Sequence, residues 1–116
     1  PIQSNNLKLK VNGSGSVNIS SFEGQSITSD ISGSGRITVS GGTTTTSDLR
    51  ISGSGDIDML GLYAQNVNAQ ISGSGTATVN VSNSLDVRIS GSGRVYYRGT
   101  PSVYTNISGS GKVSKI

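Results

Sequence analysis

The sequence is dominated by one short motif, Gly-Ser-Gly, which recurs at nearly constant spacing along the chain. The triplet occurs six times, and successive copies start 20, 20, 20, 18 and 18 residues apart. A fixed period of this length is typical of repeat architectures, in which each unit contacts mainly its neighbours. The chain is therefore predicted to form a stack of about six similar units, whose triplets start at Gly13, Gly33, Gly53, Gly73, Gly91 and Gly109.

Apolar and polar residues alternate on both sides of every triplet. This period of two indicates strands with one buried face, and no segment sustains the 3.6-residue period of a helix. Each repeat is predicted to contain a strand, a Gly-Ser-Gly corner, a second strand and a variable loop. The loops are expected at residues 20–26, 40–46, 60–66, 80–84 and 98–102. The central buried column is predicted to comprise Val11, Ile31, Ile51, Ile71, Ile89 and Ile107.

Two architectures fit this alternation, because each triplet is either a hairpin turn in a meander or barrel, or a corner of a solenoid. Stacked parallel coils explain better why like residues recur at like positions, about 4.8 Å apart. The apolar content of 31% also suits the thin core of a solenoid. The prediction is an all-β, single-stranded parallel β-helix of about six coils of 18–20 residues, forming one domain over residues 1–116. Its corners are expected at Gly13, Gly15, Gly33, Gly35, Gly53, Gly55, Gly73, Gly75, Gly91, Gly93, Gly109 and Gly111.

The outward columns carry charges that parallel stacking would pair. Lys10, Asp30 and Arg50 occupy equivalent positions in the first three repeats. Arg36 and Asp56 are equivalent in the second and third repeats. Exposed pairs contribute only about 0–1 kcal/mol each, so their expected value lies in fixing the register between coils.

The recurrent pattern Ile-Ser-Gly-Ser-Gly-x-Ile/Val, at residues 31–37, 51–57 and 89–95, resembles the bacterial family named putative auto-transporter adhesin, head GIN domain. The resemblance spans essentially the whole chain. It implies a right-handed β-helix in a secreted or lipid-anchored protein of the bacterial envelope, with adhesion as its role. The location implied is extracellular, at the cell surface or periplasmic. We expect this chain to be part of a longer envelope protein, whose signal or lipid anchor lies outside it.

Catalysis is not expected from this composition. The chain has no His and no Cys, which removes the commonest general base and all thiolate chemistry. The corner serines have no evident group to activate them as nucleophiles. The competing hypothesis is a carbohydrate-active enzyme, a lyase or hydrolase, because β-helices also host such enzymes; these need clustered acids or basic residues in a groove. No cofactor is expected.

One acidic cluster is a candidate metal site. Asp48, Asp56 and Asp58 are predicted to face outward in the third repeat. Ca²⁺-binding solenoids carry their aspartates in every repeat, and these do not recur. We therefore expect no metal. A net charge of +3 without a basic run argues against nucleic-acid binding, and no apolar stretch is long enough to span a membrane.

The candidate ligand-binding residues are Arg94, Tyr96, Tyr104 and Arg88, predicted to lie outward in the last two repeats. Tyrosine and arginine are the residues favoured at binding surfaces. Tyr97 should point into the core by alternation. The run of threonines at 43–46 suggests an ice-binding array, but it is predicted to lie in a single loop.

The function predicted from the sequence is a non-catalytic module of the bacterial cell surface. Its expected partner is a glycan, a surface protein or a second copy of the chain.

Overall fold

The computed structural model describes residues 2–3 and 6–115, and every regular element in them is a β-strand. No helix that is long and apolar enough to cross a membrane occurs in this described part. The strands are β1 (Ile2–Gln3), β2 (Asn6–Gly13), β3 (Ser16–Ile19), β4 (Phe22–Gly33), β5 (Arg36–Val39), β6 (Gly42–Gly53), β7 (Asp56–Gly73), β8 (Thr76–Gly91), β9 (Arg94–Arg98), β10 (Ser102–Ser108) and β11 (Lys112–Lys115).

The strands pair in parallel, coil on coil, with the register that the repeat predicts. Each strand that leads into a Gly-Ser-Gly corner pairs with the equivalent strand of the next coil. The strands that leave the corners pair in the same way. The β-solenoid of about six turns is confirmed, and the hairpin alternative is wrong. Register partners along the stack include Val11, Ile31, Ile51, Ile71, Ile89 and Ile107.

The corners depend on glycine for two separate reasons. The first glycine of every triplet has a positive φ, between 84° and 122°, which side-chain-bearing residues rarely adopt. At Gly73, for example, a Cβ would also lie 2.6 Å from the carbonyl oxygen of Gly53 in the preceding coil. The second glycine meets a side chain as well as the backbone, since a Cβ on Gly75 would lie 2.5 Å from the Gly55 carbonyl oxygen and 2.6 Å from Cγ2 of Ile51. Successive corners can therefore approach closely only because neither position carries a side chain.

The core is a set of aliphatic files that run through the coils. The alternating inward residues of the middle coils are almost completely buried, with Ile31, Ile51 and Ile71 at 0–1% exposure. Phe22, Met59 and Leu62 fill the space beside these files. Burial of each aliphatic side chain contributes about 1.5–3 kcal/mol, so the stack obtains its stability from many similar small layers.

The predicted loops are wrong for most of their length. Strands run through these segments in the middle coils, and β7 and β8 pass without interruption through residues 60–66 and 80–84. The reason is that these segments also alternate and bury Leu62, Ala64 and Val81. The threonines at 43–46 accordingly lie in β6, where Thr44 is buried. Each of these coils has a third paired segment.

We name the three faces by their strand segments. The first face is formed by the segments leading into the corners, the second by the segments leaving them, and the third by the segments at 22–24, 42–44, 62–64 and 80–81.

The change from 20-residue to 18-residue coils is absorbed at two register shifts. Met59 pairs with Val79 and Tyr63 with Asn80, so the three residues in between have no register partner in the next coil. A second shift, between the third face and the first, adds one residue to the next coil, so that coil is shorter by two. Asn80 is 7% exposed, and its side-chain amide donates a hydrogen bond to the Leu60 carbonyl oxygen at 3.3 Å. This bond satisfies a backbone group at the irregularity.

The corner contacts predict different costs for two otherwise equivalent glycines. Gly73→Ala should lower the free energy of unfolding by about 3 kcal/mol or more, because it adds both φ strain and a clash with Gly53. Gly13 has a φ of 84° but nothing within 4 Å of its added Cβ, so Gly13→Ala should cost only about 1–2 kcal/mol. Urea unfolding followed by circular dichroism measures both. Equal losses would show that coil contact is not the main constraint.

The inward and outward register predicts the outcome of an adjacent pair of substitutions. Ile71→Asp places an unpaired carboxylate in the central coil, where the side chain is 1% exposed, and should prevent cooperative folding. Gln70→Asp adds the same charge one residue earlier, at an exposed position, and should fold like the parent. Thermal melts of both variants test this, and a parent-like melt for Ile71→Asp would contradict the assigned register.

Candidate functional site

The first face presents two straight columns of outward side chains along the whole stack. One column contains a lysine, a threonine, two aspartates, an asparagine and a tyrosine, and the other contains mainly charged and amide side chains. We call their members the axial strip: Lys8, Thr28, Asp48, Asn68, Asp86 and Tyr104 in one column, and Lys10, Asp30, Arg50, Gln70, Arg88 and Asn106 in the other. Parallel in-register stacking makes the columns straight, since equivalent residues lie about 4.8 Å apart.

The axial strip forms a shallow groove. A depression of about 410 Å³ covers the first four coils and is lined from Lys8 and Lys10 to Asn68 and Gln70. A second depression of about 160 Å³ begins at the same Gln70 and continues past Arg88 to Asn106. The two depressions meet at Gln70 and together follow the second column over most of the stack. The first lies between the two columns, and the second lies between the second column and the serines that precede the corners. We call the two depressions together the groove.

The polar side chains in the middle of the axial strip have no partner among the residues that the structure describes. In the part of the chain that the structure describes, the side chains of Asp48, Arg50, Asp86 and Arg88 make no hydrogen bond or ion pair. The same holds, among those residues, for the amides of Asn68 and Gln70. Their donors and acceptors are therefore available to a ligand at no cost in protein contacts.

The second face has a depression of similar size, but its acidic side chains already have partners. It measures about 390 Å³, and Arg36, Asp56 and Asp58 line it together with three threonines. Nη2 of Arg36 lies 3.4 Å from Oδ2 of Asp56, which confirms the predicted neighbours. Oδ1 of Asp58 accepts a hydrogen bond from the backbone N–H of Leu60 at 3.3 Å.

The structure divides the predicted ligand-binding residues between two faces. Arg88 and Tyr104 belong to the axial strip, whereas Arg94 and Tyr96 lie on β9 in the second face. The Gly91 corner between β8 and β9 turns the chain, so the four residues do not form one surface. Tyr104 is 64% exposed and Tyr96 is half-buried. Tyr97 packs against the core, as alternation predicts.

The candidate metal residues are divided in the same way. Asp48 lies on the first face, whereas Asp56 and Asp58 lie on the second. Among the described residues, no group of three or more acidic side chains is placed to share a metal ion. The three aspartates therefore do not form the cluster suggested by their nearness in the sequence.

Two features of the surface escaped the sequence analysis. Tyr63 is 62% exposed on the third face, where it pairs with Thr43. Its flanking residues Leu62 and Ala64 are buried, and this alternation in the sequence would have indicated that Tyr63 points outward.

The second feature is the motif Asp-x-Arg, which precedes the corner in two coils, at Asp48 and at Asp86. Only the register shows that both copies lie in the axial strip.

Comparison with known proteins gives a family and several solved structures. Residues 1–101 match the family described as "Putative auto-transporter adhesin, head GIN domain". A putative adhesin from Parabacteroides distasonis is 32% identical, with a TM-score of 0.97 over 99% of this chain and 48% of that chain. A putative adhesin from Parabacteroides merdae is 28% identical, with a TM-score of 0.98 over 99% of this chain and 48% of that chain.

A third solved structure has a different description. It is a putative lipid binding protein from Parabacteroides distasonis, 28% identical, with a TM-score of 0.77 over 98% of this chain and 50% of that chain. This chain spans about half the length of the solved structures that it matches. No match is found among curated proteins.

The absence of partners in the axial strip predicts that its residues contribute little to stability. Asp48→Ala and Arg50→Ala should each change the free energy of unfolding by less than about 0.5 kcal/mol. Arg36→Ala removes the ion pair with Asp56, whose side chains are 65% and 46% exposed, and should cost up to about 1 kcal/mol. Denaturant unfolding checks all three. A large loss for Arg50→Ala would mean that its guanidinium holds the coils together.

Proposed function

Since the chain belongs to the putative auto-transporter adhesin, head GIN domain family, we propose that it is a non-catalytic adhesive module of the bacterial cell surface, and that its ligand lies along the axial strip. One observation carries the second part of the proposal. The groove crosses most of the stack, and the polar side chains at its centre have no partner among the described residues. A surface that presents many free donors and acceptors in fixed positions is suited to recognition.

Tyr104 gives the axial strip an aromatic end. Its ring is well exposed, and its register partner is Asp86. An exposed tyrosine offers a flat apolar face and a hydroxyl, which is the combination that sugars and protein side chains use for stacking and hydrogen bonding. The strip therefore combines one stacking residue with a longer polar surface.

The competing function is a carbohydrate-active enzyme on the same scaffold. The observation that favours it is that Asp30 and Asp48 line the same depression, as a pair of carboxylates would in a glycosidase. A turnover assay on polyuronides and neutral glycans, with and without Ca²⁺, separates the two functions. The adhesive proposal predicts no product above the level of an Asp30→Asn/Asp48→Asn variant.

Adhesion is tested with beads coated with the purified chain. The beads are offered a glycan array, immobilised surface proteins, lipid vesicles and a surface coated with the chain itself. Tyr104→Ala should adhere about 3–10-fold more weakly than the parent, because it loses the binding free energy of one aromatic stacking contact. Tyr63→Ala is the matched control, because it removes an equally exposed tyrosine from the third face.

Each outcome of the bead assay has a defined meaning. Adhesion that is weakened in Tyr104→Ala and unchanged in Tyr63→Ala supports both the function and the axial strip. Adhesion that depends on Tyr96 instead moves the site to the second face. Binding of vesicles alone would favour the role named for the lipid binding relative. Beads that bind none of the surfaces would contradict the adhesive function.

A further inference from the structure

The middle of the axial strip repeats its chemistry every second coil. Asp48 and Arg50 stand in the third coil, and Asp86 and Arg88 stand in the fifth. The coil between them presents two amides, from Asn68 and Gln70, as register partners of both pairs. Two coils advance by about 10 Å along the axis, so equivalent carboxylate and guanidinium groups recur at that interval.

Within the axial strip, each of these coils is electrically balanced. On the first face the third and the fifth coils each carry one carboxylate and one guanidinium, and the fourth carries two uncharged amides. An anionic polymer would meet a carboxylate at every charged coil, and a cationic polymer would meet a guanidinium. A hydroxyl group both donates and accepts hydrogen bonds, so a polyhydroxylated, uncharged chain can use every group of the strip.

The dimensions of the groove fit an extended ligand better than a compact one. The two depressions are shallow and follow the axis, so they suit a chain lying lengthwise better than a small molecule held in a closed cavity. The rise of one coil, about 4.8 Å, is close to the advance of one pyranose unit in an extended glycan. Over the third to fifth coils, three successive sugars can therefore meet three successive coils.

We propose that the ligand of the axial strip is a linear, uncharged polysaccharide with a two-sugar repeat, lying parallel to the solenoid axis. This inference rests on the proposed function and identifies the ligand class. Alternate sugars contact the two Asp-x-Arg pairs, and the intervening sugar contacts Asn68 and Gln70. At the far end of the strip, the ring of Tyr104 stacks on the face of a sugar.

Three soluble hexasaccharides test the two parts of this inference by isothermal titration calorimetry with the full chain. A poly-N-acetyllactosamine hexasaccharide is uncharged and alternating, cellohexaose is uncharged and uniform, and a hyaluronan hexasaccharide is alternating and anionic. The first should bind at least about 10-fold more tightly than the other two, a difference of about 1.4 kcal/mol. Its affinity should change little between low and high salt, because no net charge is neutralised on binding.

Arginine variants locate the ligand. Arg50→Ala and Arg88→Ala should each lower the affinity for the alternating neutral hexasaccharide about 10-fold, since each removes a charged hydrogen-bond donor. Arg36→Ala is the matched control on the second face and should bind like the parent. Urea unfolding of each variant confirms that a loss of affinity is not a loss of folding.

The outcomes separate this inference from the function on which it rests. Equal binding of cellohexaose overturns the two-sugar repeat, and preferred, salt-sensitive binding of hyaluronan overturns the uncharged ligand. If no hexasaccharide binds while coated beads still adhere to a protein surface through Tyr104, the ligand class is wrong and the adhesive function remains. If the beads adhere to nothing, both are wrong.

Discussion

The close contact between successive corners is the constraint on which the rest of the structure depends. Carbonyl oxygens of one corner accept hydrogen bonds from the next, as Gly33 does from the N–H of Ser54 at 3.1 Å. From the second coil onwards, added side chains at the corner glycines would meet the backbone or an aliphatic side chain of the coil before. The corner therefore fixes the spacing and the register together, and a shift of one residue would turn every core side chain outward.

Because the register is fixed, the inward residues that stabilise the fold are distinct from the outward residues that a ligand can contact. The inward files need only aliphatic side chains of similar volume, and the outward columns can vary without disturbing them. The strip illustrates this freedom, since its side chains include aspartate, arginine and amides over the buried isoleucines of the second to fifth coils. Straight columns of unlike chemistry are therefore compatible with a uniform core, and their pattern runs along the axis of the stack.

The features of the fold that recur in every coil could be predicted from the sequence, and the features that differ between coils could not. The residue two positions before each triplet is isoleucine in five repeats and valine in the first, always with alternating neighbours, so its pairing could be predicted. Its predicted burial is confirmed in the first five coils and is wrong in the last, where Ile107 is 36% exposed. The third face could not, because its inward residues differ from coil to coil: Phe22, Thr44, Leu62 and Val81 give no recurrent pattern. Alternation also shows only that a side chain points outward. It does not show on which face of the solenoid the side chain lies. For this reason Arg88 and Arg94 were predicted to share one surface although a corner separates them.

The shallowness of the axial strip fits an adhesive role better than a deep pocket would. A hydrogen bond to a charged group contributes about 1.5–3 kcal/mol and a neutral one about 0.5–1.5 kcal/mol, so a single sugar on one coil would be held weakly. A polymer that contacts several coils adds these contributions along its length, and neighbouring modules on one surface add further through effective concentration. Selectivity then comes from matching the spacing of the ligand to the spacing of the coils, which the corner glycines already determine. The same glycine contacts that specify the fold would in this way also specify the repeat of the ligand.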